Sequence, residues 1–265
     1  MTATVYDLLP LNTDPPLNLY SSPDAFVPNR VTEYFIKALE RNLTDNVDVA
    51  FDIGSGTAPI AIAIALKNKA KKVYAVEPSL VNGELARMNI EKYGLENRIT
   101  FFTGEYFDSL KDLGIKADVI TADVSGIARV PSKVLCWYSD QVPCAGEDGT
   151  DIICEMLKRA PLYSKKDTMI IFPVATDLSA GEKIIDSAKR YFNVVENALW
   201  NESDGIKSKS EERFHPQYIW FPLLEEQVQK INEGYNGNLP DFINMQEIRG
   251  RKFWRGQILY AKNPK

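Results

Sequence analysis

An acid followed by small residues at alternate positions, Asp52-x-Gly54-x-Gly56-x-Ala58, separates a short apolar run from an Ala/Ile-rich segment. The run suits a buried strand and the segment a helix, with Thr57 as N-cap and Pro59 in a first turn that does not need its missing N–H. Strand, glycine turn and helix form the front edge of a nucleotide-binding βαβ unit. The dinucleotide fingerprint needs a glycine where Pro59 stands, so the stretch does not fit NAD. It suits a ligand without a phosphate at this point. Gly54 and Gly56 admit the ligand close to the backbone, and Asp52 can hold an ammonium directly or through water. The plainer alternative is a glycine turn that merely closes the unit.

Three further segments offer polar chemistry. Glu77 lies 23 positions after Gly54 and is followed by Pro78. That is near the place where such units put a ribose-binding carboxylate, which can accept from two neighbouring hydroxyls. Glu105 can accept from an adenine amino group while Tyr106 packs on the ring; the alternative is an exposed acid beside a core aromatic. Asp123 offers a carboxylate that can bind an ammonium or take a proton from an O–H or N–H nucleophile. It could equally cap a turn. His215, the sole histidine, is a candidate general base if its aromatic segment closes over the cleft, and otherwise packs. Trp137, Tyr138, Tyr218 and Trp220 are candidates for a substrate wall, although core packing explains them as easily.

These residues need elements to position them. Apolar runs at 71–77, 98–103, 118–122, 167–174 and 193–200 alternate with helical patterns at 80–93, 150–162 and 179–191. This alternation predicts a doubly wound, mostly parallel sheet covered on both faces. The candidate residues then fall at the carboxyl ends of the strands, where open α/β sheets bind ligands. Residues 1–30 read as an ordered arm or short helices, and 29–42 as a one-faced helix through Val31, Tyr34, Phe35, Ala38 and Leu39. Residues 1–42 are thus an arm and a candidate lid ahead of a domain at 43–265. Residues 201–253 break the rhythm as an insertion containing a helix near 224–231. Residues 255–261 form a closing antiparallel strand.

The Asp52-to-Ala58 pattern resembles the first motif of class I S-adenosylmethionine (SAM) methyltransferases, whose last small residue is usually glycine. Gly104-Glu105-Tyr106-Phe107, Gly146-Glu147-Asp148-Gly149 and the Pro-rich Phe26-to-Glu33 segment are similar to parts of the release-factor glutamine methyltransferases. The resemblance runs over about 26–200. It implies a Rossmann-like methyltransferase fold, with SAM as cofactor and S-adenosylhomocysteine (SAH) as product. The implied cofactor-binding residues are Asp52, Gly54, Ser55, Gly56, Thr57, Ala58, Glu77, Pro78, Glu105, Tyr106 and Asp123. That family has Asn-Pro-Pro-Tyr after the fourth strand, where the Asn and a backbone carbonyl hold the planar amide. Here Ala122-Asp123-Val124-Ser125 stands instead, and losing such a hydrogen-bonding clamp should change the substrate. The expected activity is in-line methyl transfer to nitrogen or oxygen of a small molecule, amino-acid-like or a secondary metabolite. Asp123 and His215 are its candidate catalytic residues, and Ser125, Tyr138 and Tyr218 its substrate contacts. The alternatives are a SAM-binding regulator or scaffold without turnover, and a SAM-consuming cyclase or lyase.

Composition bounds these readings. The chain has 265 residues, 45% of them hydrophobic and 25% charged, as in ordinary globular proteins. Its formal net charge of −5 gives no reason to expect nucleic acid. Arg249, Arg251, Lys252 and Arg255, the best candidate basic patch, read as a solvated turn. No apolar run approaches the roughly 20 residues that span a bilayer. Neither a signal peptide nor a metal-ligating cluster is apparent. Cys136, Cys144 and Cys154, odd in number and without a C-x-x-C pair, suggest reduced thiols in a cytoplasmic protein. Nothing in the sequence sets the oligomeric state.

Overall fold

The computed structural model describes residues 7–43, 47–67, 69–136 and 144–265. In chain order the first elements are β1 (Asp7–Leu11), β2 (Leu17–Ser21), α1 (Arg30–Asn42), β3 (Val47–Ile53), α2 (Pro59–Leu66), β4 (Ala70–Glu77) and α3 (Leu80–Lys92). Then come β5 (Ile99–Thr103), β6 (Ala117–Thr121), α4 (Arg129–Leu135), α5 (Asp151–Arg159), β7 (Ser164–Val174), α6 (Gly181–Tyr191) and β8 (Phe192–Asn197). The chain closes with α7 (Lys209–Arg213), β9 (Ile219–Pro222), α8 (Glu225–Gly234), β10 (Gln246–Ile248) and β11 (Arg251–Pro264).

The main sheet runs β5-β4-β3-β6-β7-β11, and β8, β9 and β10 also pair with β11. Strands β3 to β7 are mutually parallel, whereas β11 is antiparallel to β7 and β8. The doubly wound sheet with an antiparallel final strand is therefore as the sequence predicts. Alternate side chains of β3 feed the two faces. Ala50 packs in one cluster with α1 and α2, and Phe51 and Ile53 pack in the other with Ile153, Met156 and Ile184 of α5 and α6. Helix α2 is apolar all round, and Pro59 to Ala65 are buried, as expected of a helix enclosed on every side.

The reversal of strand order beside β3 creates the crevice. Strands β4 and β5 lie on one side of it, and β6 and β7 on the other, the arrangement in which α/β sheets bind ligands. Strand β11 adds a second feature. Its half from Gln257 onward pairs with β7, starting from Gln257 opposite Val174 at the carboxyl end of that strand. Because the strands are antiparallel, residues 251–256 overshoot the carboxyl edge of the parallel sheet. There they pair with β9 and β10 and form a wall beside the crevice. The insertion at 201–253 supplies much of that wall.

The N-terminal arm is ordered, the first of the two forms the sequence allows. It is a β-hairpin rather than short helices, with Leu17, Leu19 and Ser21 turned inward at period two. Asn89 of α3 anchors it. Its Oδ1 accepts from Tyr20 N–H at 2.7 Å, and its Nδ2 donates to the carbonyls of Tyr20 at 3.2 Å and Thr57 at 3.1 Å. The hairpin, α3 and the glycine turn are thereby joined at one buried amide. Helix α1 follows with a capping box, Asn29 accepting from the first turn and Thr32 accepting from Asn29 N–H.

Arg255 does not lie in a solvated turn. Its Nε and Nη2 donate to Oδ2 and Oδ1 of Asp177 at 2.8 and 2.7 Å, and its backbone N–H donates to Oδ2 at 2.9 Å. The guanidinium also lies 4.6 Å from the ring centre of Tyr218. Asp177 is only 1% exposed, so this pair fixes the β11 wall to the segment after β7. Arg255→Ala leaves a buried carboxylate without its counter-charge and is expected to destabilise the fold by about 3–5 kcal/mol, read as a shift in denaturant midpoint.

Candidate functional site

The first polar contact of the crevice grows out of β4. Glu77 ends that strand and is 6% exposed. Its Oε2 accepts from Gly56 N–H at 3.0 Å, and its Oε1 accepts from Ser79 N–H at 3.0 Å and Asn82 Nδ2 at 3.1 Å. A carboxylate offers about four lone-pair directions, so Oε2 retains one that no described residue uses, and Glu77 lines the cleft. Asn82 reaches further, since its Oδ1 accepts from Phe26 N–H at 2.9 Å. One carboxylate and one amide thus link the glycine turn, the start of α3 and the arm.

The turn itself holds Gly54, Gly56 and Ala58 at φ of 67°, 53° and 68°. Glycine adopts this left-handed backbone without strain, and alanine does so at some cost. Gly54 also needs its missing side chain, because a Cβ there would lie 2.5 Å from Val124 Cγ1. Ala58, not Thr57, is the N-cap of α2, and it has no side chain that can cap. Asp52 serves instead. It is 1% exposed and stands behind the turn, with Oδ2 accepting from Ala61 N–H at 3.1 Å and Oδ1 from Thr121 Oγ1 at 2.7 Å. Burial pushes its carboxyl up to about 7 against the Thr121 hydrogen bond, with Asp123 adding repulsion.

Asp123 begins the loop after β6. Its Oδ2 accepts from Thr32 Oγ1 at 2.8 Å, so α1 holds it in place. Its Oδ1 takes no hydrogen bond from the described residues. Burial raises its carboxyl to about 6, opposed by Thr32. Ser125, two residues on, is 5% exposed, and its Oγ has no partner among the described residues.

Gly54, Gly56, Glu77, Asp123 and Ser125 help line a cleft of about 750 Å³, within the range of small-molecule sites. Of the sequence-derived residues, Gly54, Gly56, Glu77, Pro78, Glu105, Tyr106, Asp123 and Ser125 line it. Asp52, Ser55, Thr57 and Ala58 are buried behind its surface, outside the lining. His215 and Tyr218 are not brought to it either. His215 packs edge-on to Trp200 at 4.5 Å, and Tyr218 lies under Arg255. This corrects the general-base expectation for His215 and the substrate-contact expectation for Tyr218. Trp220 packs in the same aromatic group, against Phe214 and Tyr218. Trp137 and Tyr138 fall outside the described residues.

Sequence reasoning missed Asn82, Phe221, Trp254 and Gln257, all of which line the cleft. Alternation could have suggested Phe221 and Trp254, whereas Gln257 shares its parity with Arg255. Along β9 and β11, Ile219, Phe221, Trp254 and Gly256 are buried while Trp220 and Arg255 take the other face. Nothing in the sequence marks Asn82.

The family model for ribosomal protein L11 methyltransferase (PrmA) matches residues 30–134. The release factor glutamine methyltransferase of Bacillus anthracis is 27% identical over 169 residues, covering 59% of this chain and 58% of that protein. The chain thus spans somewhat over half the length of that curated relative. Among solved structures, precorrin-6y C5,15-methyltransferase from Geobacter metallireducens is similar at TM-score 0.52 and 14% identity, over 91% of this chain and 94% of the other. The tRNA m1G37 methyltransferase of M. jannaschii is similar at TM-score 0.53 and 12% identity, over 98% and 56%. The structural likenesses establish the fold alone.

Two outcomes follow from this geometry. Gly54→Ala is expected to lower stability by about 1–3 kcal/mol through strain and collision, and adding Val124→Ala should recover part of the loss in thermal melts. Asp52 binds a proton more readily folded than unfolded, so its contribution to stability is lost as pH rises from its unfolded value near 3.8 through about 7. Asp123 acts in the same direction up to about 6. Asp52→Asn should therefore flatten the decline in melting temperature between about pH 6 and 7.

Proposed function

We propose that this chain, a relative of the class I SAM-dependent methyltransferases, binds SAM over β3, β4 and β5. It transfers the methyl group to nitrogen or oxygen of a small neutral or cationic molecule held over β6, β7 and β11. The observation that carries this reading is the charge of the cleft. Glu77, Glu105, Asp123 and Asp151 line it, and no Lys, Arg or His among the described residues does. Such a surface repels phosphates and attracts cations.

The residues present fit SAM. Glu77 has an uncommitted lone pair for a ribose hydroxyl, Tyr106 offers an aromatic face, and the turn at Gly54 and Gly56 has no side chains to block an amino-acid moiety. Bound there, the cofactor supplies an electrophilic methyl group. The protein's share is to bring the acceptor in line, and holding two reactants together is worth roughly 7–11 kcal/mol of a barrier. Asp123 lies at the division between the two halves, and its Oδ1, which takes no hydrogen bond from the described residues, can receive the acceptor's proton. Thr32 fixes the orientation of that carboxylate from α1.

Amide methylation of the release-factor type is poorly served here. An ionised carboxylate only accepts hydrogen bonds, whereas a primary amide needs both a donor and an acceptor. Asp123 stands where the resemblance expects the clamp's asparagine, and the two prolines are absent.

The test is to incubate the protein with methyl-labelled SAM and, separately, a small-molecule extract, tRNA and ribosomal protein. Label is expected in the small-molecule fraction. Asp123→Ala should lower kcat by about 10²–10⁴-fold while SAH still binds. Label in RNA or protein would overturn the substrate reading. Release of methylthioadenosine without an acceptor would replace transfer with cyclase or lyase chemistry.

A further inference from the structure

The acceptor half of the cleft differs in character from the cofactor half. Its far wall is the overshooting part of β11 with β9, where Phe221 and Trp254 stack at 4.2 Å between ring centres and 15° between planes. Ile219 and Val174 extend this surface, and all four side chains are buried residues of the fold that also line the cleft. Polar groups are few. Gln257 accepts from Thr176 Oγ1 at 3.4 Å, which leaves its amide Nε2 uncommitted among the described residues. Ser125 Oγ is unpartnered there too. At the near edge stands the Asp123 carboxylate, held by a neutral hydroxyl and facing no cation among the described residues that line the cleft.

We infer that the acceptor is an amine with a flat apolar or aromatic body, its ammonium paired with Asp123 and its body against the Phe221–Trp254 wall. The inference rests on the proposed methyltransferase reading and narrows its substrate class. The half-buried Asp123 carboxylate favours a cation, and the attraction grows as a bound ligand displaces water from the cleft. SAM brings one net positive charge against four carboxylates, so a second cation meets no net repulsion. A phosphorylated or carboxylated acceptor would meet it. An aliphatic polyamine would satisfy Asp123 but leave the aromatic wall unfilled, at about 25 cal/mol for each Å² of apolar surface not buried.

The proton balance is consistent with this class. The ammonium gives one proton to the Asp123 carboxylate, which exposes the nitrogen lone pair. The N–C bond then forms as the C–S bond breaks and its electron pair passes to sulfur. The product is a methylated ammonium beside a neutral thioether, and Asp123 returns its proton to solvent as the product leaves. A neutral alcohol would need the same carboxylate to remove a far less acidic proton.

The test uses calorimetric titration of the full chain saturated with SAH, with tryptamine and phenethylamine as probes. Tryptophol, 2-phenylethanol and putrescine are the comparators. The two arylalkylamines should bind at least tenfold more tightly than their alcohols and than putrescine, and Asp123→Asn should reduce that preference to less than threefold while SAH still binds. With SAM in place of SAH, mass spectrometry should find methyl groups on nitrogen. Equal binding of amines and alcohols, or putrescine matching the arylalkylamines, would overturn the inference. So would the absence of binding by every arylalkylamine to the SAH complex. Failure of SAH itself to bind would instead remove the reading on which the inference stands.

Discussion

One buried carboxylate organises the crevice. Glu77 receives hydrogen bonds from the glycine turn, from the backbone entering α3 and from Asn82, which in turn holds the N-terminal arm. Such a group is tolerable in the interior only because donors surround it, and removing them would leave a desolvated charge. The constraint works in both directions. The carboxylate holds the turn through Gly56 N–H, and the donors leave one lone pair that no described residue uses. Asp52 performs a similar service for the other side of the turn by capping α2, a task its own sequence neighbours cannot fulfil.

A second constraint is topological. Strand β11 enters antiparallel and is longer than its partners need, so its first half projects past the edge at which parallel sheets bind ligands. Pairing with β9 and β10 satisfies its backbone, and the Asp177–Arg255 pair fastens it down. The projecting half carries Trp254 to one side of the cleft, while the glycine turn and Glu77 line the other. Asp123 sits between them, tied to α1 by Thr32. Under the proposed function, the division between cofactor and acceptor follows from this strand order.

Much of this was legible in the sequence because it depends on local pattern. Alternating apolar strands and amphipathic helices gave the sheet, and the spacing from Gly54 to Glu77 identified the acid that ends β4. What escaped depends on contacts between distant segments. The arm's hairpin has too few strand-forming residues to stand out, and its stability comes from Asn89 and from burial of Leu17 and Leu19. Asp52 looked like a ligand-facing acid because its position in the motif says nothing of depth, and the structure places it behind the turn. His215 and Arg255 were read by residue type. Packing against Trp200 and pairing with Asp177 assign them to the wall instead.

The central claim is that the Glu77-centred crevice holds the adenosyl cofactor. Calorimetric titration of the wild-type protein and Glu77→Ala with SAH tests it most directly. The account predicts saturable binding by the wild type at one site and an affinity at least about tenfold lower in the folded variant, equivalent to 1.4 kcal/mol or more. No binding by the wild type, or equal affinity in the two proteins, would contradict it.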